Sequence, residues 1–264
     1  MIKLIATDMD GSLLDENKKL PVEFFSVLTK LKEKGIAFVV ASGRSYVTLY
    51  DNFRPYSDDI DFICDNGAFV VINGGITNID VIKRDRLHAI IKACGEIKNT
   101  RFILCGIKGT YHLKFDGEFN DHIKAYYINR VIVDSLFEIN DDIFKIAICD
   151  LDGPENNSFP TLQKEFGDEF ALQISGSVWM DVMNKGVNKG VALEKIQHNL
   201  EIPCDETMAF GDFYNDIELL SKAKYSFVMD NANEDMFQYG NYKAKSNAEH
   251  GVIKAIEEYV LNQK

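Results

Sequence analysis

Apolar runs that stop abruptly at short polar loops recur along this chain and limit what it can fold into. Ile2-Lys3-Leu4-Ile5-Ala6 leads into Asp8-Met9-Asp10-Gly11-Ser12, residues 36–41 end at Ser42-Gly43-Arg44, and residues 61–64 form a third run. Between them, residues 21–34 open with Pro21, carry Phe24, Phe25, Leu28 and Leu31 on one helical face and stop at Gly35; a shorter helical stretch lies near 45–53. Strands without polar alternation, separated by amphipathic helices, predict an α/β fold: a parallel sheet buried on both faces.

Asn73-Gly74-Gly75, between apolar residues 69–72 and 76–79, predicts a hairpin. From about residue 83 the rhythm changes. A helix at 85–98 precedes adjacent strands at 101–106 and 110–115, then a helical or irregular part. A strand at 143–149, a helix around 158–167 and strands near 169–174 and 177–183 follow. Paired strands with helices between them predict a separate α+β unit, an antiparallel sheet with helices on one side. The first pattern then returns: helix 189–200, strand 207–211, helix 215–222, strand 225–229, a short helix, and a last helix at 249–261. The expectation is one α/β domain, residues 1–82 and 185–264, split by an inserted domain at 83–184.

Composition excludes several functions. The net charge is −12 across 264 residues and no lysine/arginine block stands out. That argues against a nucleic-acid partner and against docking on an anionic membrane. No apolar run approaches the roughly 20 residues of a membrane span. The N-terminus enters a strand-like segment directly, without the regions of a signal peptide. The five cysteines form no Cys-x-x-Cys pair, and Cys64, Cys105 and Cys149 lie in apolar runs, as buried thiols in a reducing cytoplasm would. The five histidines show no zinc spacing.

Four loops on the α/β part carry chemistry, and ligands of open parallel sheets bind at such strand ends. Asp8 and Asp10 crowd one short loop. Like charges so close repel unless a cation lies between them, which suits a divalent metal and chemistry on a carboxylate. Ser42 and Gly43, ahead of a helix, offer a hydroxyl and open N–H groups to phosphate oxygens, although Ser-Gly is also an ordinary turn. Asn188 can cap a helix, placing Lys189 in its first turn, where the helix dipole disfavours a cation. A lysine so placed suits an anion, and a solvated lysine is the plain alternative. Gly211-Asp212-Phe213-Tyr214-Asn215-Asp216 adds two acids and an amide after a strand. Together these groups describe a phosphoryl-transfer site holding a hard, oxygen-seeking cation such as Mg²⁺.

Asp8-Met9-Asp10-Gly11, Ser42, Lys189 and Gly211-Asp212-x-x-Asn215-Asp216, in that order, resemble the motifs of the haloacid-dehalogenase superfamily. The chain looks more closely like its Cof-type phosphatases, above all the bacterial sugar-phosphate phosphatases. Residues 39–44, Asp65-Asn66-Gly67-Ala68 and Asn231-Ala232 share in that likeness. The resemblance implies a Rossmann-like parallel-sheet core with an inserted α+β cap of type IIB, which would choose the leaving group. It implies Asp8 as nucleophile and metal ligand, and Asp10 as general acid and then base, its backbone carbonyl also on Mg²⁺. Asp212 is then the further metal ligand, with Asp216 supporting the metal's shell. Met9 through its N–H, Ser42, Gly43, Lys189 and Asn215 would hold the phosphate, and Arg44 could meet a substrate hydroxyl or phosphate. In the insertion, residues 106–112 and 175–181 are the segments that could touch substrate, Trp179 either stacking on a sugar ring or filling core. The expected partner is a small phosphorylated metabolite, most simply a sugar phosphate, hydrolysed in the cytoplasm. A sugar phosphomutase and a phospho-accepting regulatory module remain as alternatives.

Overall fold

The computed structural model describes residues 1–127 and 129–262. In chain order the elements are β1 (Leu4–Asp8), α1 (Phe24–Glu33), β2 (Ala37–Ala41), α2 (Tyr46–Asn52), β3 (Asp61–Cys64), β4 (Phe69–Ile72) and β5 (Gly75–Ile79). Next come α3 (Arg84–Gly95), β6 (Thr100–Gly106), β7 (Thr110–His112), α4 (Glu118–Tyr126), β8 (Arg130–Ile132), β9 (Ile143–Asp150), α5 (Ser158–Phe166), β10 (Phe170–Gly176) and β11 (Trp179–Asn184). The chain ends with α6 (Lys189–Leu200), β12 (Thr207–Gly211), α7 (Ile217–Ser221), β13 (Tyr225–Met229), β14 (Tyr242–Ala244) and α8 (Gly251–Ile256).

Two compact units result, one from residues 1–78 and 188–264, the other from 79–187. These seams differ by a few residues from those expected at 82/83 and 184/185. The Asn184 side-chain amide donates to Asp80 and to the Val81 carbonyl, and the Ile82 N–H donates to the Ile143 carbonyl, which ties residues 80–82 to the second unit.

In the first unit, the sheet order among the described residues is β14-β13-β12-β1-β2-β3-β4-β5. The pairs from β14 to β3 are parallel, and β4 returns antiparallel to β3. The hairpin expected at Asn73-Gly74 is present, with φ of 51° and 71° at those residues, the left-handed pair that a two-residue turn between twisted strands requires. One face of the sheet presents Leu4, Ala6, Val39, Ala41, Ile63 and Ala209 to Leu193, Ile196, Leu219 and Leu220 of α6 and α7. Toward the other, Phe24 of α1 meets Phe38 and Phe53, and Phe53 meets Phe62. Burial on both faces is why these strands read as unbroken apolar runs.

Strand order reverses at β1, which has β2 on one side and β12 on the other. The loops leaving such neighbours diverge to opposite faces and open a crevice at the carboxyl ends of the strands. Asp8, Ser42 and Asp212 are the residues at those three ends.

The second unit is a sheet of order β10-β11-β9-β6-β7-β8. Its central pairs are antiparallel and β7 pairs parallel with β8. Leu87, Ile90 and Ile91 of α3 and Leu162 and Phe166 of α5 pack on Leu104, Ile146, Ile148, Met180 and Val182. The expectation of helices on one side only is corrected by α4, whose Ile123 packs with Ile103, Ala147, Cys149 and Trp179 on the alternate strand positions. Alternation along the strands assigns those residues to the opposite face. Trp179 is 6% exposed and belongs to that cluster, so its ring fills core.

Candidate active site

β1 delivers Asp8 to the sheet's end with 6% of its surface exposed. The next five residues form a tight turn closed by the Leu14 N–H donating to the Met9 carbonyl at 2.9 Å. Gly11 sits in this turn at φ +91°, a conformation that residues with a Cβ avoid. A Cβ there would also run into the Asp212 carboxylate. The turn therefore lies directly against the β12 loop, and Ser12 Oγ donates to Asp212 Oδ1 at 2.9 Å. From the other side, Asn231 Nδ2 donates to the Gly11 carbonyl at 2.9 Å.

Asn188 caps α6, its side chain accepting from the Val191 N–H. Lys189 follows in the first turn and is 1% exposed. Its Nζ lies 2.6 Å from Asp8 Oδ1 and 2.6 Å from Asp216 Oδ1. Asp216 is wholly buried; its other oxygen accepts from the backbone N–H groups of Asp212 and Phe213 at 3.1 and 3.2 Å. Asp216 thus folds the β12 loop back on itself and holds Lys189 beneath it.

The acids outnumber their counter-charge. One oxygen from each of Asp8, Asp212 and Asp216 lies within 4.8 Å of the others. Fully ionised, the three carboxylates would exceed the Lys189 ammonium by two negative charges. Burial pushes the Asp8 carboxyl well above its usual range, opposed by Lys189 and reinforced by Asp216 and Asp212. Burial, then repulsion from Asp216, pushes Asp212 up to about 6, against the Ser12 hydrogen bond. Burial pulls Lys189 down, but Asp216 and Asp8 outweigh it and hold the ammonium above the usual lysine range. An all-oxygen donor set with two charges in excess fits a hard divalent cation such as Mg²⁺.

Beside the acids, Ser42 is 2% exposed, its N–H donating to the Ile63 carbonyl and its Oγ accepting from the Arg44 N–H at 3.2 Å. Gly43 faces Asn66, whose amide nitrogen would be 3.2 Å from a Cβ at that position. Asn215 Nδ2 donates to Asn66 Oδ1 at 3.2 Å. Asn66 thus joins the Ser42 turn to the β12 loop. Motif reasoning gave it no role, although Asn-Gly at the end of an apolar run signals a left-handed residue, and Asn66 has φ +54°. The Arg44 guanidinium is turned onto Asp10: Nε donates to Oδ2 at 2.8 Å and an NH₂ group to Oδ1 at 2.5 Å. The structure brings Asp8, Met9, Asp10, Ser42, Gly43, Arg44, Lys189, Asp212, Asn215 and Asp216 to one end of the first unit's sheet.

Residues 5–256 match the family described as haloacid dehalogenase-like hydrolases. The chain belongs to that family. Among the relatives of this hydrolase, 5-amino-6-(5-phospho-D-ribitylamino)uracil phosphatase YbjI of Escherichia coli (strain K12) is 31% identical over 264 residues, 99% of this chain and 97% of the relative. The crystal structure of SMU.1108c from Streptococcus mutans UA159 superposes with a TM-score of 0.86 at 29% identity, covering 99% of this chain and 100% of that one. BT4131, a sugar phosphatase of haloacid-dehalogenase subclass IIB, superposes with a TM-score of 0.78 at 22% identity over 97% of this chain and 98% of its own, a likeness of fold. The hydrolase is a phosphatase acting on phosphoric monoesters. Its fold is the α/β core with an inserted α+β domain that its motifs implied.

Proposed function

We propose that this hydrolase removes phosphate from small polyhydroxylated metabolites, sugar phosphates first among them, with Asp8 as nucleophile and Asp10 as acid and base. One observation carries the division of labour. Asp8 is buried against Lys189 and the other acids, while the Asp10 side chain, two residues on, is 43% exposed and stands apart from them on Arg44. A nucleophile needs a fixed, desolvated position, and a proton-transfer group must reach both a leaving oxygen and water.

In the first step an Asp8 oxygen attacks phosphorus and the ester P–O bond breaks. Its electron pair goes to the leaving oxygen, which takes the Asp10 proton. In the second, the Asp10 carboxylate takes a proton from water as the water oxygen attacks phosphorus; the bond to Asp8 breaks, freeing phosphate and the Asp8 carboxylate. Lys189, the Met9 N–H, the Ser42 hydroxyl, the Gly43 N–H and the Asn215 amide would hold the phosphoryl oxygens. Asp8, Asp212 and the Asp10 carbonyl would hold Mg²⁺, with Asp216 buttressing them; the ion would supply charge neutralisation at the phosphoryl group.

The relative YbjI favours a second substrate within the same chemistry. Its name specifies a phosphorylated ribityl chain attached to a uracil, also a phosphate ester on a polyol carbon. A phosphate-release screen over sugar phosphates, that ribityl compound, nucleotides and flavin phosphates, with Mg²⁺ and with EDTA, tests the reading. Release from polyol esters, lost in EDTA and in Asp8→Asn with the fold intact, is expected. Full activity in Asp8→Asn would sink the nucleophile assignment. Hexose 6-phosphate appearing from hexose 1-phosphate would indicate a mutase, and a persistent phospho-Asp8 without turnover a regulatory module.

A further inference from the structure

Arg44 is engaged in a way that reading phosphate does not explain. Both nitrogens of its fork point at one carboxylate, Nε to Asp10 Oδ2 at 2.8 Å and NH₂ to Asp10 Oδ1 at 2.5 Å. Its backbone is fixed at both ends: the N–H donates to Ser42 Oγ at 3.2 Å and the carbonyl accepts from the Asp65 N–H at 3.0 Å. The turn that carries Ser42 therefore also aims the guanidinium at Asp10. The two side chains are 29% and 43% exposed. A pair so open to water adds little to stability, so the fold gives no strong reason for it.

We propose that Arg44 is a positioning residue for Asp10, holding the carboxyl plane of the acid/base so that one oxygen faces the leaving group. This rests on the reading of Asp10 as acid and base. An aspartate on an exposed turn otherwise rotates freely about both side-chain bonds. A planar two-point clamp removes that freedom, which a single-point ammonium cannot do. Misplacement of a reacting group by about 1 Å can cost 100-fold in rate. The clamp also links phosphate binding to proton transfer, because Ser42 and Arg44 share one turn, tied by the Arg44 N–H to Ser42 Oγ hydrogen bond.

The test uses single-turnover kinetics of the full chain with Mg²⁺ on two esters, a hexose 6-phosphate and p-nitrophenyl phosphate. The alkoxide leaving from the sugar needs a proton, and p-nitrophenolate does not. In Arg44→Ala, phosphorylation of the enzyme by the sugar ester is expected to slow about 10- to 100-fold. Phosphorylation by the nitrophenyl ester is expected to change less than about twofold. Hydrolysis of the phosphoenzyme still needs Asp10, so the nitrophenyl ester should show a burst of one phenolate per enzyme followed by slow turnover. The substrate concentration for half-maximal single-turnover phosphorylation should hold steady for both esters, and Arg44→Lys should restore little of the rate. A raised half-maximal concentration for both esters at unchanged single-turnover rates would overturn the proposal and make Arg44 a substrate contact. Full rescue by Arg44→Lys would also overturn it, because charge alone would then suffice. A wild-type enzyme inactive on both esters would sink the sugar-phosphate reading on which this proposal rests. Failure of the proposal alone would leave the wild type active.

Discussion

Lys189 and Asp216 are joined inside the first unit, Nζ to Oδ1 at 2.6 Å, with side chains 0% and 1% exposed. Neither charge could remain there alone, because a buried ion that loses its partner keeps its full desolvation penalty. Lys189 also reaches Asp8, so one ammonium serves a structural acid and the proposed nucleophile. Lys189→Met is expected to lower phosphate release by about 10²- to 10³-fold, as loss of a preorganised charge at a transferring group does. Removing one partner of a buried pair should also cost about 3–5 kcal/mol in urea denaturation of the Mg²⁺-free protein. Activity within tenfold of wild type would contradict the assignment.

Gly11 offers a test of the metal that leaves every acid in place. Ala at this position meets two obstacles, the +91° φ and the Asp212 carboxylate in the space its Cβ needs. Gly11→Ala should displace Asp212 and raise the Mg²⁺ concentration for half-maximal phosphate release by about tenfold or more, a typical cost of disturbing a ligand's support. Gly35→Ala is the control. Its φ is +68° with nothing within 4 Å of a Cβ, so it should lower stability by about 1 kcal/mol and leave the Mg²⁺ response unchanged. An unaltered Mg²⁺ dependence in Gly11→Ala would remove Asp212 from the metal's ligands.

What was legible in the sequence follows from how local each cause is. The long buried strands and α6 were legible because burial on both faces writes unbroken apolar runs, and Asn188 caps α6 as its position suggested. β14 was not legible: Tyr242–Ala244 spans three residues and is a strand because β13 lies beside it. The helix expected at 215–222 begins as a tight turn at Tyr214–Asp216, because the Asp216 carboxylate accepts backbone N–H groups from the preceding loop. The acids and Lys189 stood out as types in the wrong places for stability. The direction of Arg44 did not, since nothing in Ser-Gly-Arg says which way a long side chain turns. Trp179 carried two meanings in sequence; register decides, pairing it with Cys149 in the layer that Ile123 covers.

Thiol reactivity gives a test of the packing. Cys64, Cys94, Cys105 and Cys149 are buried and Cys204 is exposed. Burial pushes the Cys94 thiol up to about 12, and burial with the nearby Asp150 and Glu118 pushes Cys149 up to about 11. The thiolate is the reactive form, so both should be inert at pH 8. Ellman's reagent on the native protein should titrate one thiol quickly and the others only after denaturation, and Cys204→Ser should abolish the fast phase. A fast phase that survives Cys204→Ser would show that one of the buried layers opens readily.

Asp61 makes a pH prediction away from the cluster of Asp8, Asp212 and Asp216. It is 8% exposed, and its Oδ1 accepts the Asn73 N–H at 2.8 Å, which anchors the β4–β5 turn. Burial raises its carboxyl above the usual range, and the Asn73 hydrogen bond only partly offsets this. The folded state therefore holds the proton more tightly than the unfolded chain, whose carboxyl titrates near about 3.9. Stability from this group is full below that value and is lost as pH rises through the folded-state value. Asp61→Asn keeps an acceptor for Asn73 and has no charge to desolvate. Its stability relative to wild type should rise steadily as pH increases from about 4 and then level off. Urea denaturation of both proteins between pH 4 and pH 8 measures the difference; a difference that stays flat or shrinks with pH would mean that the Asp61 carboxylate is better solvated when folded than its burial indicates.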